Sequence, residues 1–134
     1  MPPLIELRLA QVAIAVAGCV PVMAGGAGVL FGVSMVGAEW DAASDSHFRY
    51  LSGLLLGVGL AFWSCIPALP EQGRRFRLLT AIVVLGGLGR LLAVPLQGWP
   101  GGPMSAALVM ELVITPLLCL WQGRIARAMA VSRG

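Results

Sequence analysis

The sequence predicts an all-α fold: a transmembrane four-helix bundle, up-down-up-down, with short loops and a single domain over residues 1–134. Three observations carry this. Hydrophobic residues make up 58% of the chain and charged residues 11%, against roughly 45–50% and about 25% in soluble proteins. Mean hydropathy is +0.89, so there are too few polar groups to coat a soluble domain of this length. The charges are also clustered, which leaves charge-free runs at 9–38, 51–70, 78–89, 91–110 and 112–123. Finally, all nine basic residues are Arg and sit at the ends of those runs. That distribution fits membrane orientation rather than nucleic-acid binding, despite a net charge of +3.

A helix needs about 20 apolar residues to cross a hydrocarbon core about 30 Å thick. The runs place spans at about 9–33, 48–69, 76–96 and 104–122. Ser44, Asp45 and Ser46 are helix-capping types just before the second span. Pro70 and Gly73 interrupt the chain before the third. Gly98, Pro100, Gly101, Gly102 and Pro103 form a tight turn before the fourth. Pro21 and Pro116 fall inside spans and are expected to bend them.

Arg74, Arg75 and Arg77 lie between the second and third spans. Arg124, Arg127 and Arg133 follow the fourth, and Arg8 precedes the first. The first loop is acidic, with Glu39, Asp41 and Asp45. By the excess of Arg on the cytoplasmic side, both termini and the middle loop are expected there. Trp40 and Trp99 then fall near one interface and Trp63 and Trp121 near the other. The segment Val16-Ala17-Gly18-Cys19 has the look of a lipoprotein cleavage box. The residues after Cys19 stay apolar to Ala38, however, and Glu6 weakens the basic flank that a leader needs, so the first segment is read as a true span.

Small residues recur at helical spacing. Gly28 and Gly32 share one face of the first helix, Gly53 and Gly57 one face of the second, and Gly86 and Gly87 one face of the third. In lipid such stripes let backbones approach closely, and these six are expected to pack helix on helix.

Arg90 and Glu111 interrupt apolar runs. Arg90 lies six residues before Leu96 and Glu111 seven after Met104, about 9 and 10 Å below the same end of their helices. Antiparallel neighbours joined by a short turn would bring both to one depth. A lone charge there costs at least ~2.5–3.5 kcal/mol, so the two are expected to pair. Arg49 joins them as a candidate intramembrane polar site, with Glu39, His47 and Tyr50 as weaker candidates near the same end.

No catalytic constellation accompanies them. GxSxG, HExxH and the phosphate-binding Walker loop are all missing. One His cannot supply bis-His haem ligation. Cys19, Cys65 and Cys119 stand alone, without a CxxC, so no metal site is expected. They read as small buried apolar residues. No cofactor is expected.

Three stretches together carry a family likeness. They are Arg49-Tyr50-Leu51-Ser52-Gly53 running on to Leu60, Gly86-Gly87-Leu88-Gly89-Arg90-Leu91-Leu92 followed by Gly98 and Pro100, and Glu111 followed by Pro116. In order and spacing the chain, from about Gly25 to Trp121, resembles a family of small bacterial four-helix membrane proteins catalogued as a domain of unknown function, distantly similar to the DoxX-like group. The resemblance implies the fold and a bacterial cytoplasmic membrane. It brings no activity, and it matches Arg49, Arg90 and Glu111 to the polar positions of the family signatures.

The expected function is therefore a non-enzymatic structural or accessory component of a membrane assembly. Its partners would be the lipid bilayer and other membrane subunits or a second copy, with no nucleic acid. The alternative is a small-molecule or lipid-binding carrier or isomerase-like bundle with an outward-facing Arg/Glu pocket. Direct contact between Arg90 and Glu111 favours the first reading, and an open polar cavity favours the second.

Overall fold

A computed structural model describes residues 3–37 and 41–132. Among them the chain is all-α, in the four-helix class that the sequence predicts, with no strand. The helices are α1 (Pro3–Phe31), α2 (Ala42–Trp63), α3 (Gly73–Gln97), α4 (Gly102–Val109) and α5 (Thr115–Val131). A π turn, Met110–Ile114, joins α4 and α5 into one rod. Short 3-10 turns, Gly32–Val36 and Leu69–Glu71, follow α1 and precede α3. Glu39, Trp40 and Arg133 lie outside the described residues.

Three segments are long and apolar enough to cross a membrane: Leu4–Val36, Gly73–Gln97 and Gly102–Val131. Their side chains are largely exposed, including Leu30, Met23, Leu85 and Leu96. α2 is not among the three, because Ser44, Asp45, Ser46, His47 and Arg49 occupy its first turns.

Several boundaries differ from the sequence reading. α2 begins at Ala42, six residues before the expected start. Its N-cap is Asp41, whose carboxylate accepts from the Ser44 N–H at 2.7 Å. It ends at Trp63 rather than Leu69, since Pro67 and Pro70 supply no N–H and clash with a continuing helix. α5 runs on to Val131, well past Gln122.

The chain divides into two compact units, one of Met1–Ala10 with Ala68–Gly134 and the other of Gln11–Pro67. In the second unit α1 and α2 run antiparallel. Trp63 lies against Gly18 and donates its indole N–H to the Ala15 carbonyl at 3.1 Å. Gly59 meets Val22, Gly25 meets Leu56 and Ser52, and Gly28 meets Ser52. The contact is so close that a Cβ on Gly25 would lie 2.5 Å from the Leu56 backbone nitrogen. Gln11 donates to the Ile66 carbonyl at 2.8 Å. Ile14, Val33, Phe62 and Cys65 are buried.

The packing face of α2 is therefore Asp45, Arg49, Ser52, Leu56, Gly59 and Trp63. The expected Gly53–Gly57 face is displaced from it by one position. A Cβ on Gly57 would touch nothing within 4 Å, and one on Gly53 would only graze Val29. The cause is Arg49, which turns back toward the end of α1 and brings Ser52, one turn on, into the interface.

In the first unit α3 runs antiparallel to the α4–α5 rod. Gly87 lies against Glu111 and Leu112, while Gly73 lies beside Gln122. Phe76, Leu79, Leu108 and Ile125 form its apolar core with Leu69 and Ala10. Gly86 has open space where a Cβ would sit, so of the expected pair only Gly87 is a contact. Cys65 is buried and Cys119 half-buried. Cys19 is exposed, contrary to expectation, because it lies one position round from the Gly18 face that meets Trp63.

Candidate functional site

Arg90 and Glu111 meet directly. The Arg90 Nε donates to Glu111 Oε2 at 3.1 Å and Nη2 donates to Oε1 at 3.2 Å. This fork occupies both carboxylate oxygens, the geometry that suits a planar guanidinium. The remaining Nη1 donates to the Met104 sulfur at 2.9 Å. The Glu111 side chain is 16% exposed and that of Arg90 35%.

Local structure sets this meeting. Arg90 lies one turn beyond Gly87, where the absence of a side chain lets α3 approach Glu111. Glu111 sits in the π turn. Pro116 has no N–H to give the Leu112 carbonyl and its ring clashes there, so the preceding turn widens. The Thr115 N–H bonds five residues back to the Met110 carbonyl, and the Thr115 hydroxyl donates to the same oxygen at 2.7 Å. The Trp99 indole donates to the Ser105 hydroxyl at 2.8 Å and ties down the tight turn. At its start Gly98 has φ +91°, in the region open to glycine.

Arg49 does other work. Its Nε donates to Asp45 Oδ2 at 2.7 Å, and Nη1 donates to the carbonyls of Val29 at 2.6 Å and Leu30 at 3.1 Å. It thereby caps the C-terminal end of α1, where carbonyls lack helical partners. Asp45 Oδ1 accepts the Val33 N–H at 2.9 Å. The Arg49 guanidinium, then the Val33 N–H, hold the Asp45 carboxyl below its ordinary value. Gly32 passes under this pair with φ +66°, where any Cβ would strike Asp45. His47 and Tyr50 are exposed, with rings 6.4 Å apart.

The structure thus joins Arg90 to Glu111 and engages Arg49 separately, with Asp45 and the end of α1. Sequence reasoning missed a second cluster in the first unit. Glu6 is buried and accepts the Trp121 indole N–H at 3.0 Å and faces Arg124 at 3.2 Å. Gln122, 1% exposed, donates to the Leu69 carbonyl at 2.9 Å, while its Oε1 has no partner. Gln122 is the one amide in the run 112–123, which was the available signal.

The Arg90–Glu111 fork engages both carboxylate oxygens. A shallow depression on α3 is lined by Leu88, Leu91, Leu92, Val94 and Pro95, all apolar. Among the described residues no three His, Cys, Asp or Glu side chains gather as a metal-ligand set. Fold and site together define a small all-α protein of apolar helices stapled by a polar clasp. The chain belongs to the family described as Domain of unknown function (DUF4345), which matches residues 9–122. No curated protein and no solved structure matches it.

Proposed function

We propose that the chain is a multi-pass protein of a bacterial cytoplasmic membrane, and that it serves as a non-enzymatic structural or accessory component of a membrane assembly. The observation that carries this reading is the bidentate contact of Arg90 with Glu111, which engages both carboxylate oxygens. A carrier or isomerase would keep its carboxylate open to substrate or protons, whereas here both oxygens serve to fix α3 against the α4–α5 rod. Three apolar segments supply spans. The apolar part of α2, together with the charge-free residues that follow it to Pro70, forms the fourth, and the polar first turns of α2 emerge at the outer face. With four crossings both termini lie in the cytoplasm, on the side of the Arg-rich loop. The whole chain then acts as a single membrane domain.

Two measurements test the proposal. In a background without native Cys, a cysteine at Ser44 is expected to react with an impermeant thiol reagent from outside, and one at Gln72 is not. The opposite labelling overturns the orientation. In native nanodiscs the chain is expected to bring a companion membrane protein in fixed stoichiometry, retained by the double variant Glu111→Gln, Arg90→Met. A chain isolated alone, holding a small molecule that Glu111→Gln releases, overturns the accessory role in favour of the carrier reading.

A further inference from the structure

The rod of α4 and α5 is longer than a membrane crossing requires. α3 has 25 residues and rises about 37 Å, against a hydrocarbon core about 30 Å thick. With its Gln97 end at the outer boundary, Gly73 stands at the level of the inner headgroups, which reach only about 5–8 Å beyond the core. Gln122 lies beside Gly73, yet α5 continues to Val131. The residues after Gln122 add about 13 Å of helix, so Arg127 and Val131 stand in water beyond the headgroups.

One side of this overhang is packed. Ile125 is buried, and Trp121 at its base donates to Glu6 of α1. Another side is bare. Arg124, Arg127, Ala128 and Val131 follow one another at spacings of three and four and share a helix face, and all four are exposed, Val131 to 82%. The Arg124 side chain faces Glu6 yet remains 71% exposed. Arg127 takes part in no ion pair among the described residues. Basic heads flanking small apolar side chains at i, i+3, i+4 and i+7 are the anchors by which one helix receives another.

Charge selects the occupant. The chain has six acidic residues. Glu39, Asp41 and Asp45 lie around the first loop, on the outer side in the proposed orientation. Glu111 is held by Arg90, and Glu6 by Trp121 and Arg124. Glu71 is the sixth, and Arg74 and Arg75 at the start of α3 stand exposed at the same end. A second copy lying the same way round would therefore bring arginines against arginines. Lipid phosphates reach the level of Arg74 and Arg75 but not Arg127 and Val131.

We infer that the overhanging face of Arg124, Arg127, Ala128 and Val131 docks an acidic helix of the companion protein. Carboxylates of that helix meet the two guanidiniums, and its apolar side chains lie on Ala128 and Val131. The contact forms on the cytoplasmic side, outside the bilayer, where opposite charges also steer the encounter. The inference rests on the accessory role proposed above and adds to it the chemistry of the partner.

The test uses the full chain in phosphatidylcholine nanodiscs, with empty nanodiscs as the baseline. The probe is a helix-forming peptide with Glu and Leu on one face and Ala elsewhere, compared with its counterpart carrying Gln for every Glu. Saturable binding of one acidic peptide per chain is expected, at least tenfold tighter than that of the Gln peptide. Equal binding of the two overturns the acidic chemistry. Arg127→Glu is expected to weaken binding at least tenfold and Val131→Ser several-fold, with Tm unchanged in both. Arg77→Glu, which reverses an equal charge at the membrane boundary, is expected to change it less than twofold. Equal losses from Arg127→Glu and Arg77→Glu would reduce the effect to diffuse charge and overturn the face, as would an unaltered affinity in Val131→Ser. In a background without native Cys, a fluorescent label on a cysteine at Ala128 is expected to be quenched from water in phosphatidylglycerol nanodiscs. Quenching from the lipid instead assigns these arginines to the membrane surface and overturns the protein partner. In native nanodiscs Arg127→Glu is expected to release the companion. A companion that Arg127→Glu retains in full overturns this face and leaves the accessory role standing. A chain isolated alone overturns that role, while the peptide titration, which needs no companion, still judges the face.

Discussion

Removing one half of the Arg90–Glu111 pair strands the other between α3 and the α4–α5 rod, whereas removing both does not. Loss of one partner from a buried ion pair typically costs about 3–5 kcal/mol. Two features of this pair lower that figure. Its bonds, at 3.1 and 3.2 Å, are longer than the 2.7–2.9 Å usual for charge-assisted contacts. The Arg90 side chain also remains 35% exposed, so part of its charge stays solvated. Polar couplings between membrane helices average about 0.6 kcal/mol and reach about 1.7. Glu111→Gln alone is therefore expected to cost about 1–2 kcal/mol, since the Arg90 cation keeps only the Met104 sulfur and a neutral amide. Arg90→Met alone is expected to cost a similar amount by leaving the carboxylate unpaired. The double variant is expected to lose about 1 kcal/mol less than the two single losses added together. Reversible unfolding in bicelles, followed for all four proteins, measures this. Purely additive losses would show that the fork contributes no coupling and would remove it as the device that fixes the α3 register.

Three further outcomes follow from other parts of the structure. Gly25→Ala places a methyl 2.5 Å from the Leu56 nitrogen and 2.7 Å from the Ser52 carbonyl. Because backbone cannot yield as a side chain can, a loss of about 1–3 kcal/mol is expected. Gly57→Ala, facing open space, is expected to be neutral or to stabilise through helix propensity by up to ~1 kcal/mol. Equal melting temperatures in detergent would show that the α2 face is misassigned. Pro116→Ala restores an N–H for the Leu112 carbonyl, so the π turn is expected to close to a regular helix and swing Glu111 away from Arg90. The coupling just described should then fall toward zero in that background. A third outcome concerns Asp45, whose carboxyl is held low in the folded chain by Arg49 and the Val33 N–H. Its contribution to stability is complete above its ordinary value of 3.8 and is lost as the pH falls through the lower folded value. The stability gap between the native chain and Asp45→Asn should accordingly narrow below that pH and stay flat between pH 5 and 7. A gap that instead widens on acidification would contradict the linkage.

The all-α class was legible in the sequence because it depends on sums. Apolar runs of sufficient length, with too few charges to coat a soluble surface, leave helices as the economical way to satisfy every backbone group in lipid. The pairing of Arg90 with Glu111 was legible for a related reason. A short turn rich in Gly and Pro, at 98–103, forces antiparallel neighbours, so the distance of each residue from the turn sets its depth. Rotation about the helix axis was not legible, since depth says nothing about which face a residue occupies. On α2 the glycines at 53 and 57 have the spacing of a packing stripe, yet the face that meets α1 carries Ser52, Leu56 and Gly59. That choice was made by Arg49, whose reach to the Val29 and Leu30 carbonyls turns the helix by one position. The π turn under Glu111, the pairing of Glu6 with Trp121 and the isolation of the Gln122 oxygen likewise arise between segments distant in the chain. Composition and spacing determine which segments become helices and how deep their charges lie. Only the tertiary structure decides which faces meet, because that depends on which buried polar atoms find partners across the interface.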